Sequence, residues 1–258
     1  MIISLAQLSV FLLIVTRIGG IMVQTPVFSS RSFPTPAKVS LSVWTAAVMW
    51  FVVPVSSALP TTTLSLLLVL ASEFTIGLLI GLIANLIFVS VQAAGEIIDL
   101  QMGLSVAQSF DPIFGSQISI VGRLFFFTMI TMFLIINGHH MVLAGVYKSF
   151  NMIPAGQLAN FGSGALVTQI ITLGSKLFAV GFMLSAPTLL ILFIMASFVF
   201  GIVSRVAPQV NVFMLSFQVR PTLGLIGILL TVPLLVKHIA NMLGILGEEL
   251  LKLLVAIQ

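Results

Sequence analysis

From Leu64 to Ala94 the chain is almost wholly apolar and carries a single charged side chain, Glu73. As a straight helix this stretch is roughly 45 Å long, at about 1.5 Å per residue, whereas the hydrocarbon core of a bilayer is only about 30 Å thick. It has to tilt, bend or project beyond the membrane. The remainder is of the same kind. Of 258 residues, 59% are hydrophobic and 6% charged, against about 25% charged in soluble domains. Too few polar side chains remain to cover a water-exposed surface. The expected fold class is all-α, an integral membrane or membrane-associated chain of about six or seven helical segments. Little is left for a separate soluble domain, so residues 1–258 are read as one domain.

The net charge of +4 raises the question of nucleic acid. The basic residues answer it: they lie singly between Arg17 and Lys252, with no stripe to neutralise successive phosphates. They read as interfacial cations of a membrane protein. Cysteine is absent, which excludes disulfides, iron–sulfur clusters and thiol catalysis. Met1 to Val15 is apolar but has no basic residue ahead of it and no small-x-small site before Arg17, so an uncleaved first helix is expected rather than a signal peptide.

The first segment runs from Ile2 to about Val23. Gln24 to Lys38 holds three prolines and several hydroxyl residues and reads as a loop. The second segment, Val39 to Leu59, has Pro54 near its end. The third, Leu64 to Ala94, has Gly77 and Gly81 four apart on one side, which suits a close helix neighbour and equally suits mere composition. Glu96 to Arg123 mixes Glu96, Asp99, Asp111 and Arg123 with glutamines, serines, glycines and many apolar residues. A long mixed stretch between membrane segments reads as a functional loop. The fourth segment, Leu124 to Val146, is interrupted at Asn137-Gly-His-His140, and a loop follows from Lys148 to about Gly164. The fifth, Ala165 to Val203, contains Lys176 and Pro187, where a kink or hairpin is expected. Ser204 to Asn211 is a polar break, Arg220-Pro221 a second, and the last two segments fill Thr222 to Val236 and Ile239 to Ile257. Several segments are too long or too short for a simple span, and no internal repeat points to a transporter of inverted halves.

Chemistry-bearing motifs are missing. There is no phosphate loop, zinc-ligand spacing, nucleophile elbow or dinucleotide fingerprint, so no enzyme, cofactor or metal is expected. His139 and His140 are adjacent, about 100° apart on a helix, and do not form one metal face. Glu96 and Asp99, three apart, share a helical face and read as a polar helix end or as part of a proton relay. Arg17, Glu73 and Lys176 have apolar residues on both sides. Each costs about 2.5–3.5 kcal/mol at a bilayer centre on insertion scales. Arg17 and Glu73 either snorkel to an interface, pair between subunits or line a conduit.

Six stretches, in order and spanning the chain, resemble the R subunit family of the flagellar export gate. They are Arg17-Ile-Gly-Gly-Ile-Met with Pro26-Val-Phe-Ser and Arg31-Ser-Phe-Pro34; Gly95 to Pro112; Asn137-Gly-His-His140; Ser149 to Pro154; Arg205 to Phe213; and Leu223-Gly224. Injectisome T subunits are similar, but the Phe-Asp-Pro and Pro-Gln-Val-Asn runs look flagellar.

This resemblance implies a helical hetero-oligomer with several copies of the P and Q subunits, a B subunit beside them and contact with membrane lipid, in which much of the apolar helix is lifted out of the bilayer plane and buried against neighbours. It implies a place in the bacterial inner membrane at the flagellar basal body, and unfolded flagellar proteins as cargo. It further implies a loop that plugs the pore, matching about Gly103 to Ser116 here. Met102, Gly103, Val106, Phe110, Asp111, Pro112, Phe114 and Gly115 are the expected plug residues. The glycines permit sharp turns, the phenylalanines give bulk, and Asp111-Pro112 stiffens a turn. Arg17, Glu73, Glu96, Asp99, Arg205, Gln209 and Asn211 are expected to make polar contacts inside the membrane or between subunits. The competing readings are a proton-coupled secondary transporter using Glu73, Glu96 or Asp99, and a scaffold that nucleates the P subunits.

Overall fold

A computed structural model describes residues 5–29, 34–55, 60, 62–104 and 119–257, with the backbone alone given for Leu5, Ala6 and Val27. Among these residues the named elements are all helices: α1 Leu5–Gln24, α2 Pro26–Ser29, α3 Thr35–Met49, α4 Thr63–Met102, α5 Ile120–Ile135, α6 Gly138–Met152, α7 Gly164–Val206 and α8 Val212–Ile257. An isolated parallel bridge joins Val55 to Ala155. The all-α expectation holds. Four helices (α1, α4, α7 and α8) are long and apolar enough to cross a membrane.

Several boundaries differ from the sequence reading, each for a physical reason. The prolines after Gln24 do not leave the chain irregular: Pro26 opens the short α2, and Pro34 and Pro36 sit at the start of α3. Proline is tolerated at a helix start because the missing N–H has no intrahelical partner there. Helix α3 therefore begins before Val39, and it stops at Met49 rather than reaching Leu59. In α7 and α8, by contrast, Pro187, Pro221 and Pro233 all lie inside continuous helices of 43 and 46 residues. No hairpin forms at Pro187 and no break at Arg220-Pro221. One proline deletes one hydrogen bond of a long ladder, and long apolar helices absorb that loss.

Helix α4 is the other departure. It continues past Ala94 to Met102, 40 residues in all, or about 60 Å. Glu96 and Asp99 are thus helical. Between α5 and α6 the helix stops at Ile136 and Asn137, whose φ of 59° is left-handed. Asparagine tolerates that region better than most residues.

The chain forms two compact units: Met1–Ile87 with Asn137–Gly174 and Gly244–Gln258, and Phe88–Ile136 with Ser175–Leu243. In the first unit α1 packs on α3, and α1 meets α4 where Gly20 and Gly77 stand back to back. A Cβ on Gly20 would lie 2.5 Å from the Phe74 carbonyl oxygen, and one on Gly77 would strike that of Arg17. Gly81 faces Gln24 and Ile21 of the same helix. The close neighbour suggested by the glycine pair is α1. In the second unit Phe88 of α4 packs edge-on against Phe126 and Phe133 of α5.

Burial is uneven. In the most apolar window of α4, 56% is buried within the chain, but in that of α7 only 17%. Helix α7 leaves Phe178, Phe193 and Phe198 largely exposed, a surface that lipid or neighbouring helices have to cover.

Candidate functional site

Among the described residues, each unit contains a buried polar constellation that includes a residue singled out in the sequence. In the first unit, Arg17 of α1 and Glu73 of α4 are fully buried and joined through Arg17 Nε and Glu73 Oε2 at 2.5 Å. The remaining guanidinium donors are also used. Nη1 donates to Ser149 Oγ at 3.2 Å, and Nη2 to the Ile153 carbonyl at 2.9 Å. The guanidinium carbon lies 3.9 Å from the centre of the Phe150 ring. The second carboxylate oxygen of Glu73 accepts from the Gly156 amide at 3.0 Å. Neither residue snorkels; they are each other's partners within one chain.

Spacing explains the meeting. Gly20 lies three residues beyond Arg17, and Gly77 four beyond Glu73, so the glycine contact brings both charges onto the α1–α4 seam. The pair also fixes the connection after α6. Its backbone is held further by Ala155 N donating to the Pro54 carbonyl at 3.2 Å and by Asn160 N donating to that of Ile257 at 3.1 Å. Isolated buried charges cost several kcal/mol each, and a cluster in which each guanidinium nitrogen donates a hydrogen bond is the stable alternative.

In the second unit the constellation lies at the end of α4. Asp99, nearly fully buried, accepts from Ser119 Oγ at 2.5 Å and from the Val121 amide at 3.1 Å. Ser119 is the N-cap of α5, its hydroxyl oxygen accepting from the Gly122 amide at 2.7 Å. A carboxylate here meets unpaired amides and the positive end of the helix dipole, an arrangement worth about 0.3–2 kcal/mol. One turn before Asp99, Gly95 touches Gly122 so closely that an added Cβ would lie 2.5 Å from its Cα. One turn after Asp99, Gly103 takes φ 78° as the helix ends, with its amide donating to the Leu100 carbonyl at 3.1 Å. Glycine is the residue for that left-handed position. The Phe217 ring lies 3.6 Å from where a Gly103 Cβ would stand, and Met102 is buried against Gly224.

Other residues singled out in the sequence lie elsewhere. Glu96 faces outward and accepts from Gln92 at 2.9 Å. Arg205, in the last turn of α7, and Gln209 are exposed. Asn211 caps α8, its side-chain oxygen accepting from the amides of Phe213 and Met214. Val106, Phe110, Asp111, Pro112, Phe114 and Gly115 lie outside the described residues. Gly95, Ser149 and Phe150 stand in the family-like stretches of the sequence without an assigned contact, and Ser119, Gly122 and Phe217 at one constellation and Gly156 at the other carry no signal of their own there. The Gly95-x3-Asp99-x3-Gly103 spacing was the available signal for the first.

Apolar helices that bury an ion pair between them, yet leave long greasy faces uncovered, define a helical membrane protein built to sit among lipid or other subunits. Residues 8–245 match the family described as bacterial export proteins, family 1. The chain is 31% identical to the flagellar biosynthetic protein FliR of Bacillus subtilis over 246 residues, 95% of its own length and 94% of the relative's. To FliR of Escherichia coli it is 28% identical, over 86% of this chain and 83% of that one. A further relative is the Yop proteins translocation protein T of Yersinia pestis, 30% identical over 62% of this chain and 61% of that one. The chain belongs to the FliR family of bacterial export proteins. It is accordingly a membrane protein of flagellar type III export.

Proposed function

We propose that this chain is a core subunit of the flagellar export gate in the bacterial cytoplasmic membrane. With P and Q subunits, and B beside them, it surrounds a channel for unfolded flagellar proteins and closes that channel with its own segment from Gly103 to Ser116. The observation that supports this best is the anchoring on either side of that segment. Gly103 ends α4 against Phe217, and Ser119 begins α5 on Asp99. A stopper has to be held at its base while its tip yields. The residues between supply matching side chains: bulk at Phe110 and Phe114, and at Asp111, Pro112 and Gly115 residue types that favour turns. Helices of about 60–70 Å with uncovered apolar faces suit burial against other subunits.

The reading is steric gating. The segment withdraws when a polypeptide enters and reseals against ions and small molecules afterwards, with the driving energy supplied by other parts of the apparatus. Deleting Val106 to Gly115 tests it. The deletion is expected to leave the complex assembled and to make cells leak small solutes. Cells that assemble the deleted gate and stay as tight as wild type would show that the chain acts as a scaffold.

A further inference from the structure

Helix α6 and the end of α8, both in the first unit, enclose an apolar groove of about 220 Å³. The gap exists because the helices face each other over small residues. Ala144, Gly145 and Gly247 line it where larger side chains would close it, and Met141, Leu250 and Leu254 supply apolar walls. A Cβ on Gly247 would meet only the tip of Met141, at 3.9 Å, so that side has room to spare. An apolar cavity of roughly 150 Å³ already takes up benzene and stays free of water. This groove is larger and equally poor in partners for water. Of the lining side chains only that of Lys148 is charged. Lys148 is the last lining residue of α6, about 10 Å along the helix from Met141, so the charge lies towards one end of an apolar slot. It is exposed, and among the described residues no hydrogen bond or ion pair engages it. Glu248 and Glu249 follow Gly247 in sequence but do not line the groove. Glu249 is buried and accepts from Lys252 at 3.0 Å and from Gln169 at 3.2 Å. Beside Lys148 stands Tyr147, the chain's only tyrosine, partly exposed. Tyrosine and lysine side by side on an apolar helix mark the level of lipid headgroups, each keeping a polar tip in water above an apolar stem.

We propose that this groove is a binding site for an anionic phospholipid, whose acyl chain lies between α6 and α8 and whose phosphate meets the Lys148 ammonium. An acyl chain restores the dispersion contacts that an empty apolar slot forgoes. The lysine decides the headgroup. An anionic lipid brings only negative charge to it, whereas a zwitterionic one brings an ammonium of its own to the same place. One lysine at the membrane surface favours anionic lipid by roughly fivefold. The site is independent of any channel-closing segment.

The experiment purifies the export complex carrying the full chain, strips it of lipid in detergent, and adds phosphatidylglycerol or phosphatidylcholine. Native mass spectrometry then reads the lipid retained. Wild type is expected to retain phosphatidylglycerol in roughly fivefold preference to phosphatidylcholine. Lys148→Gln is expected to abolish that preference, and Lys148→Arg to keep it. Ala144→Leu, which fills the groove, is expected to hold several-fold less of either lipid. Lys237→Gln removes an exposed cation of α8 outside the groove and is expected to behave as wild type. If Ala144→Leu retains as much phosphatidylglycerol as wild type, the groove holds no lipid and the proposal fails; a neighbouring subunit filling the groove would give that result. If Lys148→Gln keeps the preference, the lysine does not select the headgroup and the proposal of an anionic site fails. Should Ala144→Leu not assemble, Gly247→Leu takes its place, and if neither assembles Lys148→Gln decides alone.

Discussion

Arg17 and Glu73, 56 residues apart in sequence, are joined in a fully buried ion pair that also holds Ser149, Phe150, Ile153 and Gly156. One charge from α1 and one from α4 thus organise the connection that follows α6. Neither serves an interface with water. The consequences can be measured one residue at a time.

Truncating one member leaves the other charged and buried without its partner. Arg17→Ala or Glu73→Ala is expected to destabilise the chain by about 3–5 kcal/mol, whereas Arg17→Met with Glu73→Leu costs much less because no lone charge remains. Thermal unfolding of the purified complex, single against double variant, checks this. A double-variant loss equal to the sum of the two single losses would show that the pair is not coupled.

The seam that brings the charges together is equally specific. Gly77→Ala places a Cβ into the Arg17 backbone oxygen, and Gly20→Ala places one against Phe74. Each is expected to cost about 1–3 kcal/mol through displaced backbone. Gly19→Ala is the control: nothing lies within 4 Å of its Cβ, and a helical alanine is better than glycine by about 0.5–1 kcal/mol. Melting temperatures should fall for the first two variants and stay level or rise for the third.

Asn137 breaks the helix between α5 and α6 at φ 59°. Asn137→Gly is expected to be nearly neutral, and Asn137→Val to cost about 1–2 kcal/mol, the penalty of a left-handed L-residue. The same melts read it. A neutral valine variant would mean that the break is not left-handed.

Much of this fold is legible in the residues. The hydropathy of Leu64 to Ala94 demands a membrane helix, and Asn137-Gly is a true interruption. Proline misleads in both directions. Pro34 and Pro36 start a helix where the composition reads as a loop, and Pro221 sits within a helix where it reads as a break, because the cost of a proline depends on whether its N–H had a partner to lose. The mixed composition after Ala94 hid the end of α4, and with it the Gly95, Asp99, Gly103 series. Arg17 and Glu73 were visible as charges in apolar surroundings, but their partnership was not. It depends on which helix Gly77 packs against, a tertiary fact that sequence spacing alone leaves open.

The absence of cysteine allows the central claim to be tested at one atom. A Phe110→Cys variant, carrying the chain's only thiol, can be joined by a short thiol-reactive crosslinker to an exported flagellar polypeptide stalled in transit. The account predicts a crosslink at Phe110 and none from Trp44→Cys on the exposed side of α3. A stalled polypeptide that never reaches position 110, in a gate that is assembled and exporting, would contradict it.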